Sequence, residues 1–487
     1  MMKKIILLIS IFLLLTVVGC SKEITEEKLS IRGEITNVSL DDNGKITSIL
    51  VEGKLEQDTQ HDKASVFIGE KTKIYDNDTK EELEKNALKK GTKVEIIFKG
   101  PVRESYPVQA DAKIIRITEQ VDHIVEKINT MTLDEKIGQM LMVGVEGYNL
   151  NDNSRKLITE HKVGGFIIFG ENVQSTNQLL SLVNSLKREN VNNKIPLFFS
   201  LDEEGGKVTR MPQEFKRFPT NKIIGQINDK DFSNKIGRTI ADEIKSFGFN
   251  MNFAPVLDVN SNPKNPVIGS RSFGSNPDIV SSLGVETMKG IQEENVIPVV
   301  KHFPGHGDTS VDSHVGLPTV NSDLDRLQNF ELIPFAKAIE NDADMVMIAH
   351  ILLSKIDSEN PSSMSKTIIT DILRNNLKFD GVVITDEMTM GAIIKNYSLN
   401  EAAVKSVSAG TDIILVGHGY NNEIGVINAL KSAVSKGEIS QERIDESVYR
   451  ILKLKEKYNL KDEIINSVDV NKINNKIKTL LDIYKVS

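Results

Sequence analysis

From residue 122 onward, short apolar runs alternate with stretches of helical period. The runs are Met140–Val145, Gly164–Phe169, Pro196–Leu201, Met251–Asp258, Pro298–Lys301, Asp344–Ala349, Gly381–Thr385 and Thr411–Val416. Each has the length of a strand buried on both faces, and most precede a helical pattern, such as Asn177–Glu189 after the second. Strands that alternate with helices imply a parallel sheet. Eight such units predict an α/β fold, a (β/α)8 TIM-type barrel over residues 122–460, with 461–487 as a C-terminal tail. A doubly wound open sheet is the competing arrangement.

Residues 31–118 follow a different rhythm. Strand candidates are Ile31–Val38, Ile46–Val51, Ala64–Ile68, Val94–Phe98 and Lys113–Ile117, with a turn signal at Asp41-Asp42-Asn43-Gly44. Thr79 and Glu82 have the spacing of a capping box and predict a short helix over 79–89. Five strands and one helix predict a small all-β domain, a barrel of the oligonucleotide/oligosaccharide-binding (OB) kind. It carries no catalytic cluster, and nothing in it identifies a partner.

The first residues read as an address. Lys3 and Lys4 precede an apolar run from Ile5 to Val18, too short to span a bilayer comfortably and suited to a signal-peptide core. The run ends in Val17-Val18-Gly19-Cys20, which resembles a bacterial lipobox. Residues 1–19 are then a lipoprotein signal peptide, Cys20 the lipidation site and new N-terminus, and 20–30 a polar tether. The expected location is the extracytoplasmic face of the cell membrane, held by a lipid anchor. Cys20 is the only cysteine, so no intramolecular disulfide can form. The net charge of −8, with both signs interspersed, argues against a general nucleic-acid binder.

Ionisable residues recur where the apolar runs stop: Asp202, Asp258, His302, His350, Asp386 and His418. A single one is explained by helix capping. Six on one rim indicate a polar active site at the C-terminal ends of barrel strands. The densest stretch is Lys301-His302-Phe303-Pro304-Gly305-His306-Gly307-Asp308, continuing to Asp312-Ser313-His314. In extended backbone, residues i and i+2 face one side, which places Asp312 to orient His314 and stabilise its protonated ring. A rim carboxylate such as Asp386 can act as nucleophile, base or metal ligand. With His314 as proton donor, Asp386 meets the needs of glycoside hydrolysis, histidine replacing the usual second carboxylate. Arg210, Arg271 and Lys301 can hold substrate hydroxyls or carboxylates. His302, His306, Asp308, Asp312 and His314 are also enough donors for zinc or iron, although their spacing matches no strong zinc signature. His306 and Asp308 are otherwise expected to brace the loop by bonding its own backbone.

The run KHFPGHGDTSVDSH resembles the signature of glycoside hydrolase family 3, in its β-N-acetylglucosaminidase branch. Further motifs are similar in the same order: Leu201-Asp202-Glu203-Glu204-Gly205-Gly206 with Arg210, Asn252-Phe253-Ala254-Pro255-Val256-Leu257-Asp258, Val267-Ile268-Gly269-Ser270-Arg271-Ser272-Phe273, and Ile384-Thr385-Asp386-Glu387-Met388. Lys207 stands where the family commonly has arginine. The resemblance implies a retaining exo-β-N-acetylglucosaminidase without metal or organic cofactor. Asp386 would be the nucleophile, His314 the general acid/base and Asp312 its partner. Asp202, Arg210, Arg271, Lys301 and His302 would bind the terminal sugar of a β-GlcNAc-terminated glycan or muropeptide. Relatives in the β-glucosidase branch take their acid/base from a C-terminal sandwich domain; no such sequence follows the barrel here, which favours the His314–Asp312 pair. Another β-glycosidase, a glycoside phosphorylase of the same family, and a non-catalytic glycan-binding lipoprotein stay open as alternatives.

Overall fold

The computed structural model describes residues 28–41 and 44–486, so the signal-peptide segment, Cys20 and most of the tether lie outside the described residues. The chain forms two compact units that divide between His123 and Ile124.

The first unit has six strands: β1 (Ile31–Leu40), β2 (Ile46–Glu52), β3 (Lys63–Phe67), β4 (Lys73–Asp76), β5 (Lys93–Phe98) and β6 (Val108–Glu119). β1 pairs antiparallel with β2 and β5, β2 with β3, and β5 with β6. β3 then pairs in parallel with the start of β6, which closes the ring. That circuit is the connectivity of an OB-type barrel. Alternation fills it: Ile35, Val51, Val66, Ile96 and Ile115 point inward and are fully buried or nearly so. β4 is an addition, parallel to the middle of β6 at Ile114–Ile117. The helix expected over 79–89 does not form. Asp76 accepts the backbone N–H groups of Asp78 and Thr79, Lys80 takes a positive φ of 63°, and the chain doubles back so that Glu82 bridges to Tyr75. A single 3-10 turn, Lys85–Ala87, is all the helix that remains. Asp76 thereby takes the N–H of Thr79, which a capping box would have given to the Glu82 side chain.

The second unit is the barrel. Its strands are β7 (Leu141–Val143), β8 (Gly165–Ile167), β9 (Phe198–Leu201), β10 (Met251–Asn252), β11 (Ile297–Phe303), β13 (Met345–Ile348), β15 (Val382–Thr385) and β16 (Ile414–Val416). They pair in parallel in that order, and β16 returns to β7. A parallel bridge between Ile384 and Ile413 joins β15 to β16 and closes the circle. A short ribbon, β12 (Thr319–Val320) with β14 (Leu352–Leu353), sits in the loops above it. Strand side chains are buried on both faces, as the continuous apolar runs require. β10 is far shorter than its run because Pro255 has no N–H for the ladder; pairing resumes as one bridge from Val256 to Lys301. β11 runs two residues beyond its expected end at Lys301, through His302 and Phe303, so both Lys301 and His302 lie within the strand at the rim. The described part of 461–487, the segment read as a tail, folds back onto the unit. Asn184 and Lys187 donate to the carbonyls of Ile465 (2.8 Å) and Glu463 (3.0 Å), and the helix Val470–Ile483 buries Ile473, Ile477 and Leu480.

Candidate active site

A cavity of about 320 Å³ opens at the C-terminal ends of the barrel strands. Asp202, Arg210, Arg271, Lys301, His302, His314 and Asp386 all line it. Asp312 stands behind His314, bonded to it. One side of the cavity is charged, and the other includes Phe169, Met347, Met390 and Leu415.

The charged wall is one connected chain. Lys301, only 1% exposed, donates to Asp202 Oδ1 (2.6 Å) and lies 2.7 Å from Glu204 Oε1. Arg271 forks onto Glu204 through Nε (2.9 Å) and Nη2 (2.7 Å), and Arg210 Nη2 reaches Asp202 Oδ2 (3.3 Å). His302 Nδ1 faces Asp258 Oδ2 at 2.6 Å, which leaves Nε2 toward Arg271 at 3.3 Å. Burial by itself would raise the Glu204 carboxyl, but Arg271 and Lys301 hold it far below the ordinary range. Three cations are thus brought close to an apolar barrel because fixed carboxylates accompany them. Glu204 and Asp258 were not assigned functional roles from sequence. The signal was available: three cations beside a buried strand end need buried counterions, and the acidic run before Gly205-Gly206 supplies one.

Asp386 closes β15 and is half-buried. Its Oδ1 accepts the N–H of Glu387 at 2.8 Å. Burial alone would raise this carboxyl; His302, His350, the Glu387 N–H and Lys301 more than offset it, so Asp386 is held below its usual value. It is therefore ionised at neutral pH, as a nucleophile must be. The adjacent Glu387 is committed elsewhere, with one oxygen on Gly417 N–H (2.8 Å) and the other on Thr389.

Asp312 Oδ1 takes both the backbone N–H (2.9 Å) and ring Nδ1 (2.8 Å) of His314. The ring's Nε2 is left for another partner. The side chain of His314 is 65% exposed, at the mouth of the cavity. Burial would raise Asp312, but these His314 contacts outweigh it and its carboxyl lies below the ordinary value. Of the other rim residues, His418 lines the cavity and stacks on Phe169 with centroids 4.6 Å apart. His350 is fully buried beneath it, between Ser363 Oγ (2.7 Å) and the carbonyl of Glu387 (3.0 Å). His306 braces the loop through the hydroxyls of Thr309 (2.8 Å) and Ser313 (3.1 Å), not through its backbone as expected, and Asp308 is exposed. Among the described residues no group of three or more His, Cys, Asp or Glu side chains is placed to hold a metal ion. The histidines that suggested one are each turned to a different partner.

A second feature was not legible in the sequence. Glu203, next to the charged wall, and Glu243, on the helix Lys230–Lys245, are buried together. Glu203 accepts the N–H of Arg210 (3.0 Å), whereas neither carboxylate oxygen of Glu243 has a hydrogen-bond partner among the described residues. Burial pushes Glu203 up to about 7, and burial plus the Glu203 charge push Glu243 the same way. A carboxyl raised on folding binds its proton more tightly in the folded state. For Glu203 that stabilisation is therefore present at low pH and lost as pH rises through about 7, and Glu243 shifts in the same direction. Glu243→Gln, which removes the neighbouring carboxyl, should raise the melting temperature by roughly a few degrees at alkaline pH and by much less at acidic pH, read by thermal unfolding across that range.

A parallel eight-stranded barrel that gathers a rim carboxylate and a histidine–aspartate pair at one cavity has the groups that glycoside hydrolysis needs. The family model described as glycosyl hydrolase family 3 N terminal domain matches residues 132–454, and the chain belongs to glycoside hydrolase family 3. Residues 43–119 match a family described as a protein of unknown function, DUF3221. The chain is 35% identical to Beta-hexosaminidase A of Pseudoalteromonas piscicida, over 67% of this chain and 61% of that protein. It is 30% identical to the Beta-hexosaminidase of Nitrosomonas eutropha, over 65% of this chain and 92% of that one. Among solved structures it is similar to a glycoside hydrolase family 3 beta-N-acetylglucosaminidase from Paenibacillus sp. str. FPU-7. The two are 40% identical with a TM-score of 0.68, over 72% of this chain and 68% of that one. The chain therefore spans about three fifths of the first relative and nearly all of the second.

Proposed function

We propose that this protein is a retaining exo-β-N-acetylglucosaminidase that removes terminal β-linked GlcNAc, with peptidoglycan fragments as the natural source. The observation that carries the reading is the meeting of Asp386 and the Asp312–His314 pair at one cavity that is also lined by a fixed set of charged side chains able to bond a sugar. The names of its relatives support the choice of sugar. In the first step Asp386 attacks the anomeric carbon, while His314 gives the proton on Nε2 to the glycosidic oxygen and the aglycone leaves. Asp312 holds the ring from Nδ1 and stabilises its charge before the transfer. In the second step His314 takes a proton from water, which attacks the glycosyl ester and frees Asp386. Asp202, Arg210, Arg271, Lys301 and His302 orient the sugar, and no cofactor enters either step.

The 2-acetamido group should be required. Each buried donor or acceptor left unmatched costs on the order of 1–3 kcal/mol. Aryl β-glucoside should then be poorer than aryl β-GlcNAc by at least roughly a hundredfold in kcat/KM. Initial rates on the two substrates decide this, and comparable rates would replace the reading with a general β-glycosidase. Adding phosphate to the assay separates hydrolase from phosphorylase, since a hydrolase gives free GlcNAc whether or not phosphate is present.

The reading extends to a location. Lys3, Lys4, the apolar run Ile5–Val18 and the Gly19-Cys20 junction support lipidation at Cys20 and anchoring outside the cytoplasm. Among the described residues no helix is long and apolar enough to cross a membrane. Cys20→Ala should move the protein from the membrane to the soluble fraction with kcat unchanged. Retention of the variant on membranes would mean that the apolar run is an uncleaved span.

A further inference from the structure

The loop that carries His314 has two parts. Its root, from His302 to Thr309, is pinned from several directions. Asp258 Oδ1 accepts the backbone N–H groups of His302 (3.3 Å) and His306 (2.6 Å). Asn265 Nδ2 donates to the carbonyls of His306 (2.8 Å) and Gly307 (3.1 Å), and Asn262 Nδ2 to that of Thr309 (3.0 Å). Gly307 lies so close to Val259 that a Cβ there would sit 1.7 Å from its carbonyl oxygen. The tip beyond it is exposed at Ser310, Val311, His314 and Val315. On one side the tip rests on backbone bonds from Gly391 and Ala392 to the carbonyls of His314 (3.2 Å) and Ser313 (3.0 Å). On the other, one side-chain bond bridges tip to root: His306 Nε2 to Ser313 Oγ, 3.1 Å, with His306 1% and Ser313 2% exposed. Ser313 is the residue between Asp312 and His314.

A hydroxyl stands at each ring nitrogen of His306. Thr309 Oγ1 lies 2.8 Å from Nδ1, accepts from Asn265 Nδ2 (3.2 Å) and is 3.1 Å from the His306 carbonyl, and Ser313 Oγ is at Nε2. Each hydroxyl can donate or accept, so the bridge to Ser313 forms with the neutral ring's proton on either nitrogen. Burial keeps this ring from charging, pulling it down to about 4, so the bond persists across the range in which a glycosidase of this kind works.

We propose that His306 is a positioning residue for the acid/base: through Ser313 it ties the exposed tip to the rigid root and sets the pose in which Asp312 and His314 meet the leaving group. The proposal rests on the reading of His314 as general acid/base. Its consequence is specific. Loosening the latch should harm the proton-dependent step more than sugar binding, because neither side chain hydrogen-bonds to the charged wall; both line the cavity and the His306 ring packs edge-on against His302 at 5.8 Å, so Ser313→Ala is the more selective variant.

The test uses the full-length protein with Ser313→Ala and His306→Gln, each with His314 present and with His314→Ala. Rates are measured on chitobiose, a poor leaving group, and on 2,4-dinitrophenyl β-GlcNAc, an activated one. With His314 present, Ser313→Ala should lower kcat/KM, which reads the glycosylation step, about tenfold on chitobiose and less than about threefold on the activated substrate. His306→Gln, which keeps a hydrogen-bonding amide on a flexible side chain, should lose less than His306→Ala measured beside it. In the His314→Ala background, Ser313→Ala should change neither rate by more than about twofold, since there is no longer an acid to position. Equal losses for both leaving groups, or a Ser313→Ala effect that survives without His314, would overturn the latch. If His314→Ala alone shows no leaving-group dependence, the acid/base reading itself has failed, a result distinct from failure of the latch.

Discussion

Asp386→Ala is expected to abolish turnover on aryl β-GlcNAc, by roughly five powers of ten or more in kcat, while the barrel stays folded. A covalent nucleophile supplies a bond in the transition state that no neighbouring group replaces, so its loss is among the largest single-residue effects an enzyme shows. Here the obvious substitute is unavailable, because Glu387 has both oxygens engaged by Gly417 and Thr389. The side chain also carries little packing, being half-buried with its one given side-chain bond going to the next residue's N–H. Far-ultraviolet circular dichroism and the melting temperature should therefore stay near wild type. Azide added to the variant should restore product formation in part, as the α-configured glycosyl azide, since a small anion can attack where the carboxylate stood. Activity within tenfold of wild type would remove Asp386 from the mechanism.

His314→Ala should produce the second largest effect, one that depends on the leaving group. General acid catalysis contributes about 10²- to 10⁴-fold when the departing oxygen needs a proton, and little when it does not. Chitobiose should lose activity in that range. A dinitrophenyl glycoside should lose little in its first step and become limited by hydrolysis of the glycosyl-enzyme. Asp312→Ala should show a milder form of the same pattern together with a displaced pH–rate profile, because the ring keeps its nitrogens and loses the carboxylate bonded to Nδ1 at 2.8 Å. A uniform loss across leaving groups would mean that His314 acts by holding the loop and not by moving a proton.

The periodicity of apolar residues carried much of the barrel. Eight runs became eight parallel strands because a strand covered on both faces must be apolar throughout, and that requirement is visible without any structure. Strand ends were less legible. The Met251–Asp258 run looks uniform, yet Pro255 interrupts its ladder, and β11 runs past its expected end at Lys301 through His302 and Phe303, where Phe303 still pairs with Ile348. Thr79 and Glu82 misled for a local reason: a capping box and an aspartate turn both claim the N–H of Thr79, and Asp76 accepts it. Asp202, His302 and Asp386 were reachable from sequence because chemistry concentrates at strand ends, whereas Arg210 and Arg271 lie outside the strands and their assignment to the sugar came with the resemblance to family 3. What joins these residues was not legible. Glu204 as the hub of Lys301 and Arg271, Asp258 behind His302, the Glu203–Glu243 pair and the His306–Ser313 bond all depend on distances across separate segments, which spacing along one chain does not encode.

The central claim is that a sugar becomes covalently bound to Asp386 during turnover. The most direct measurement is intact-protein and peptide mass spectrometry after brief incubation with 5-fluoro-β-GlcNAc fluoride, whose good leaving group allows glycosylation while its ring fluorine slows release. The account predicts a single added fluoro-sugar per chain, located on Asp386 in the peptide that also contains Glu387, and no adduct on Asp386→Ala. Full turnover of the reagent with no trapped species, or an adduct on another carboxylate, would contradict it.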